Sequence, residues 1–180
     1  MEKIDQNLAK TFEVYFKGLD TYLQEAFEYK ESEEIWSLAQ MHEHVYSSGY
    51  TFFLANINRC LEGRKGQMGG KLTDAGSYIF YKDGFPLKTK YQHPEHKKGS
   101  GPVIIGQSIE TYKKGMQELL IALLNKISEA ENDEGEYKTE HFVFGWLNAK
   151  QWLQNAEFHI RHHISQMEEL VKYYKASKSV

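Results

Sequence analysis

All three prolines of the 180-residue chain lie between positions 86 and 102, and nine of its 14 glycines lie between positions 63 and 106. Proline removes a backbone donor and glycine weakens both helices and strands, so this stretch interrupts regular structure. The segments on either side contain no proline and can therefore form long helices. We expect an irregular insert over about residues 63–103, with a short extended piece at Tyr78–Tyr81.

Apolar side chains recur every three or four residues in four segments, which is the spacing of one helix face. The segments run from about Gln6 to Tyr29, Ser37 to Leu61, Gln107 to Ser128 and Asn148 to Ala176. The second and fourth begin with the spacing of a capping box, a polar N-cap followed three residues later by glutamine (Ser37 and Gln40, Asn148 and Gln151). No alternating pattern typical of strands competes. The sequence predicts an all-α four-helix bundle, as one domain over residues 1–180, with a long crossover loop between helices 2 and 3.

Charge and composition exclude several classes of protein. Lys and Arg number 22 against 25 Asp and Glu, which gives a net charge of −3 and no basic excess for binding nucleic acid. No apolar run approaches the roughly 20 residues that a membrane span needs, and the N-terminus lacks the apolar core of a secretory signal. A single cysteine fits a reducing compartment. We expect a cytoplasmic protein with neither nucleic acid nor membrane as a partner.

Two histidines occupy the middle of the apolar stripe of the fourth helix. The stripe consists of Trp152, Ala156, His159, His163, Met167, Leu170 and Tyr174. Residues four apart on a helix have Cβ atoms about 5–6 Å apart, so two such imidazoles can share one metal ion. A buried imidazole needs a polar partner in any case, and hydrogen-bonded core histidines remain the alternative to metal ligands.

A third ligand would come from the second helix, which offers His42 and His44. The apolar residues of that helix define a direction that lies nearer to His42 than to His44; they are Leu38, Met41, Val45 and Phe52. Periodicity therefore leaves the choice between the two histidines open.

Two patches of the sequence resemble the DinB-like superfamily. The segment Trp36–Val45 is similar to the start of its second helix, where a tryptophan and a polar N-cap precede a ligand histidine that lies eight residues after the tryptophan. The segment Phe144–Trp152 is similar to the approach to its fourth helix, where a glycine-containing turn leads to a tryptophan. The segment His159–Gln166 then matches a His-x-x-His-His-x-x-Gln pattern. Both patches occur in the order found in the superfamily.

The resemblance implies a four-helix bundle that holds one divalent metal ion through His44, His159 and His163. It is the resemblance alone that selects His44 over His42. Similar proteins are often dimers, and characterised ones include metal-dependent hydrolases and transferases that use low-molecular-weight thiols. The implied partners are thus a small-molecule substrate, a thiol cofactor and a second copy of the chain in a homodimer. Zinc, nickel, iron and manganese all accept imidazole ligands, so the ligand set does not separate them.

Three neutral imidazoles leave a coordination position open, which is typical of catalytic rather than structural metal sites. The resemblance, together with this open position, implies a metal-dependent hydrolase or thiol-dependent transferase. The alternatives are a protein that holds a small ligand on the metal without turnover, and a bundle whose histidines are purely structural. Three further residues are candidates to contact the ligand histidines without binding the metal themselves: His42, His162 and Gln166. For Gln166 the sequence favours simple packing, and for His162 it favours a solvated surface.

Overall fold

The computed structural model describes residues 4–86 and 108–179. Within them the chain is mainly helical, which confirms the predicted class in its coarse form. The helices are α1 (Ile4–Thr21), α2 (Gln24–Glu28), α3 (Leu38–Ser48), a π-helix (Gly49–Leu54), α4 (Ala55–Leu61), α5 (Asp74–Lys82), α6 (Ile109–Asn125), α7 (Ile127–Asn132) and α8 (Ala149–Ser177). The strands are β1 (Gln67–Met68), β2 (Tyr137–His141) and β3 (Gly145–Leu147).

Both predicted capping boxes are confirmed. The Ser37 side chain accepts a hydrogen bond from the backbone N–H of Gln40 (3.1 Å), and the Gln40 side chain accepts one from the backbone N–H of Ser37 (3.0 Å). Asn148 and Gln151 make the same pair of bonds at the start of α8. A capping box satisfies two backbone donors that would otherwise lack partners, so it defines the residue at which each helix begins.

Three of the predicted helices differ in detail from the expectation. The first is divided, because Leu23 takes an extended backbone (φ −78°, ψ 148°) between α1 and α2. The third is divided at Lys126, between α6 and α7. The second continues from α3 to α4, but the six residues of Gly49–Leu54 between them form a π-helix.

Four of the helices pack in a cyclic order. α1 packs against α6, α6 against α3, α3 against α8, and α8 against α1. Aromatic rings fill much of the space between them, and the largest fully buried side chains include Trp152, Tyr15, Tyr112, Phe12, Phe27 and Phe144. Burying a side chain of this size contributes about 1.5–3 kcal/mol, so these rings supply much of the hydrophobic stabilisation.

Among the helices that the structure describes, none has both the length and the apolar character needed to cross a membrane.

The structure adds a small antiparallel sheet that the sequence did not predict. Its order is β1-β2-β3, with Gln67 opposite Lys138 and Thr139 opposite Leu147. Gly145 has a φ of +81°, and a Cβ atom there would lie 2.6 Å from a backbone carbonyl oxygen, so the turn before β3 requires glycine. The sheet connects the predicted insert to the segment that leads into α8.

The predicted insert is more regular than expected, because it contains β1 and α5. Thr73 caps α5 by accepting a hydrogen bond from the backbone N–H of Gly76 (3.0 Å). The extended piece predicted at Tyr78–Tyr81 is wrong, since these residues lie within α5. The part of the insert from 87 to 103 lies outside the described residues.

Candidate metal centre

Three histidines from two helices meet where α3 packs against α8. His44 lies on α3, seven residues after the Ser37 cap, and His159 and His163 lie one turn apart on α8. The two helices are held by buried apolar neighbours of these histidines: Leu38, Met41 and Val45 on α3, and Trp152, Ala156 and Met167 on α8. Because those residues pack into the core, they determine the side of each helix on which the histidines project.

The ring nitrogens of the cluster are close together. The Nε2 atom of His159 is 3.1 Å from Nε2 of His44 and 3.1 Å from Nε2 of His163. One nitrogen from each of the three rings lies within 4.8 Å of the others. Two nitrogens bound tetrahedrally to one ion at about 2.0–2.1 Å are about 3.3 Å apart. The donor atoms and their spacing therefore fit a divalent metal ion.

Hydrogen bonds between neutral imidazoles explain these Nε2–Nε2 distances less completely than a shared metal ion does. A neutral imidazole carries one N–H, and Nε2 of His159 is 3.1 Å from two other ring nitrogens. If Nδ1 of His163 donates to the amide oxygen Oε1 of Gln166, which lies 2.9 Å away, Nε2 of His163 carries no proton. At most one of the two contacts of His159 is then a full hydrogen bond, whereas a cation attracts all three lone pairs.

The environment of the two α8 histidines favours their neutral form. Burial is the main cause that lowers the pKa of His159 well below its ordinary value, and neighbouring His163 and His44 lower it further. Burial likewise lowers the pKa of His163, with His44 adding to the effect. Because the neutral ring is the form that binds a metal, both side chains are in the state that ligation requires.

Aromatic rings restrict the orientation of two of the three histidines. The ring of Trp36 lies 5.4 Å from that of His44, with the planes 62° apart. The ring of Phe53, a residue of the π-helix, lies 4.8 Å from that of His159, with the planes 50° apart. Packing of this kind limits rotation of the imidazoles, so their Nε2 atoms stay close to one another.

Gln166 and His162 are joined to the cluster. The Oε1 atom of Gln166 is 2.9 Å from Nδ1 of His163, and its Nε2 atom is 2.9 Å from Nε2 of His162. His162 is partly buried, and its ring lies 5.5 Å from that of Phe85. The sequence favoured packing for Gln166 and solvation for His162, but the structure places both in one hydrogen-bonded row with His163.

The structure places His42 in the core, away from the cluster. Its Nδ1 atom is 2.6 Å from the Tyr15 hydroxyl oxygen, and its ring lies 5.3 Å from that of Phe27. Burial lowers the pKa of His42 to about 3. Two residues along an α-helix rotate the side-chain direction by about 200°, so His42 and His44 point to different sides of α3. Of the two histidines that periodicity left open, the structure brings His44 to α8.

Sequence reasoning missed His141, the last residue of β2. Its Nδ1 atom accepts hydrogen bonds from the backbone N–H groups of Val143 (3.1 Å) and Phe144 (3.3 Å), and its ring stacks on Phe144 at 4.3 Å. Burial lowers the pKa of His141 to about 3. His141 is also near enough to lower the pKa of His159. Its only sequence signal was a place in a short aromatic run, which predicts no particular role.

The comparisons with known proteins concern only the part of this centre that lies on α8. A family model described as a protein of unknown function (DUF1569) matches residues 91–170. The match takes in His159 and His163. It covers less than half of the chain and leaves out α3, which carries His44. No curated protein matches the chain.

Proposed function

We propose that this protein binds one divalent metal ion through His44, His159 and His163 and uses it on a small-molecule substrate. The observation that carries the proposal is the approach of three ring nitrogens from two helices, with 3.1 Å between neighbouring atoms. The donor set supports an open site, because three neutral imidazoles fill three positions and leave the charge of the ion uncompensated.

We further propose that the fold is the four-helix bundle of the DinB-like superfamily. The cyclic packing of α1, α6, α3 and α8 supports this, since each of these helices has two neighbours in that order. The resemblance of Trp36–Val45 and His159–Gln166 supports it independently, because these two segments carry the three clustered histidines.

The proposed activity is hydrolysis, or transfer of a group to or from a low-molecular-weight thiol. When bound, an ion in such a site would polarise a carbonyl group or lower the pKa of a water or thiol that it coordinates. The chain itself supplies three fixed nitrogens, two of them kept neutral by burial. His44 and His159 are both partly exposed, so we expect a small molecule to approach the cluster from solvent. Zinc, nickel, iron and manganese are the candidate ions.

Elemental analysis of tag-free protein tests the metal site. After reconstitution with each candidate ion, we expect about one metal per chain in the wild type and little in His44→Ala, His159→Ala or His163→Ala. His42→Phe is the matched control, because His42 shares a helix with His44 but lies outside the cluster, and it should retain the metal. A wild type that takes up none of the ions, or a His159→Ala variant with wild-type content, would refute the site.

Turnover assays then separate the classes of function. A hydrolase acts on ester or amide panels without added thiol, whereas a transferase requires the thiol. A protein that takes up the metal and a ligand saturably, but forms no product in either panel, would be a binding protein instead. If the histidines are only structural, the alanine variants should lose thermal stability while metal content stays at zero in every protein.

A further inference from the structure

Gln166 lies between two histidines of α8 and contacts both through one planar amide group. Its Oε1 atom is 2.9 Å from Nδ1 of His163, and its Nε2 atom is 2.9 Å from Nε2 of His162. The residue lies three positions after His163 and four after His162, so all three side chains share one side of the helix. Gln166 is partly buried, which reduces competition from water for these hydrogen bonds.

The two contacts determine where each ring carries its proton. In the amide orientation that the structure shows, Oε1 of Gln166 faces His163 and can only accept, so His163 donates from Nδ1 and has a free lone pair on Nε2. In the same orientation the amide NH2 group faces His162 and can only donate, so Nε2 of His162 accepts and the proton of this ring lies on Nδ1. Both histidines are thus held as the Nδ1–H tautomer.

We propose that Gln166 is a positioning residue that holds His163 in the tautomer whose Nε2 lone pair faces His44 and His159. The proposal rests on the proposed metal function, because that lone pair matters only if the three Nε2 atoms bind an ion. The Nε2 atom of His163 lies 3.1 Å from that of His159, so a proton on it would point into the space between the ligands. Gln166 prevents this by accepting from the opposite side of the ring.

Glutamine is suited to this role because it donates and accepts from one rigid group. Glutamate at the same position would accept from His163 but could not donate to His162. Methionine has a similar length but neither a strong donor nor a strong acceptor. These two substitutions therefore separate the contact with His163 from the contact with His162, and both keep a long, helix-compatible side chain.

NMR of metal-free protein reads the tautomers directly through long-range ¹H–¹⁵N couplings in the imidazole rings. At about pH 8, above the ordinary histidine pKa of about 6.5, His162 and His163 should both appear as the Nδ1–H form in the wild type. In Gln166→Glu, His163 should keep this form while His162 changes to the Nε2–H form. In Gln166→Met, both rings should show a mixture. Gln154→Met, also on α8 but outside the row, should match the wild type.

Competition with a chromophoric chelator measures metal affinity and so tests whether the tautomer held by Gln166 matters for metal binding. Contacts of this kind commonly contribute 10- to 100-fold in affinity, so Gln166→Met should bind the metal about 10–100 times more weakly than the wild type. Gln166→Glu should retain wild-type affinity or exceed it, because the acceptor for His163 is kept. Thermal unfolding of the metal-free variants shows whether each is folded before its affinity is compared.

The results distinguish this proposal from the proposed function. An Nε2–H form of His163 in the wild type would overturn the role of Gln166, as would wild-type affinity in Gln166→Met. If neither the wild type nor Gln154→Met binds any of the ions, the proposed metal function fails, and positioning for a metal fails with it. The tautomers, which are read without metal, would still show whether Gln166 makes the two hydrogen bonds.

Discussion

Replacing His141 by asparagine should make the protein less sensitive to acid. The folded ring is 5% exposed, and its Nδ1 atom accepts two backbone hydrogen bonds that protonation would break. Burial lowers the pKa of His141 to about 3, compared with about 6.5 in an unfolded chain. Between these values the unfolded state binds a proton that the folded state does not, so the free energy of unfolding falls as the pH falls.

The magnitude follows from the two pKa values. For an unfolded pKa of about 6.5 and a folded pKa of about 3, His141 should remove about 2 kcal/mol of stability between pH 8 and pH 5. This figure hardly depends on the folded value, because any pKa below about 4 leaves the folded ring neutral at pH 5. An asparagine places an acceptor near the position of Nδ1 but does not titrate. The difference between the two proteins should therefore shift by about 2 kcal/mol in favour of His141→Asn over this range.

Urea unfolding of metal-free protein at several pH values from about 5 to 8 measures this difference. The other titrating groups are common to both proteins, and folded His141 is uncharged over this range and so does not shift the pKa of His159 there, so their contributions largely cancel. His141→Phe is the control. It removes the titration together with the acceptor, and its stability should change with pH as that of the asparagine variant does. Parallel pH profiles for the wild type and His141→Asn would refute the reasoning.

Three further predictions concern packing, a buried charge and the metal. Gly49→Ala should lower the free energy of unfolding by about 1–3 kcal/mol, because the added Cβ atom would overlap Cδ2 of the buried Leu119. A change in the urea midpoint worth less than about 0.5 kcal/mol would contradict this and show that Leu119 moves aside freely. Arg161→Met should cost about 2–3 kcal/mol, since it removes two hydrogen bonds (2.8 and 2.9 Å) from the buried carboxylate of Glu157, with the loss limited because Arg161 is 45% exposed. Adding Glu157→Gln should recover part of that loss in thermal unfolding, and strictly additive losses would contradict the pairing. A chelator should lower the Tm of metal-loaded wild type but not that of His163→Ala. The reason is that an ion present at 100 times its Kd stabilises the fold by about 2.7 kcal/mol. Equal Tm values of the wild type with and without chelator would argue against a bound ion.

The long helices could be predicted because their signals are local. Apolar spacing marks the buried face, and the caps at Ser37 and Asn148 need only a residue three positions away. The sheet could not be predicted in this way. Its strands have two to five residues, too few to show alternation, and β1 pairs with a strand far along the chain, Gln67 with Lys138. Such pairing depends on the fold bringing the two segments together.

The candidate site was partly open to prediction for the same reason. His159 and His163 follow from the apolar stripe of one helix, whereas His44 needed the resemblance because local spacing leaves the choice between His42 and His44 open. Periodicity shows which side chains are neighbours but not which atoms bond, so the two hydrogen bonds of Gln166 had no sequence signal. The position of His141 depends on the turn between β2 and β3, which the sequence did not reveal.

The π-helix at Gly49–Leu54 determines which sequence changes the segment from α3 to α4 can accept. In an uninterrupted α-helix, the direction of residue 44 would dictate that of residue 60, because each residue adds about 100° of rotation. The wider turn shifts the phase between the two halves, so α3 directs His44 to α8 while α4 keeps Ile57 and Cys60 in the core. Deleting one residue from this turn would restore a single phase, and only one half could then keep its present alignment. The half that carries His44 and the half that carries Ile57 and Cys60 can therefore keep their separate alignments only while the turn is retained.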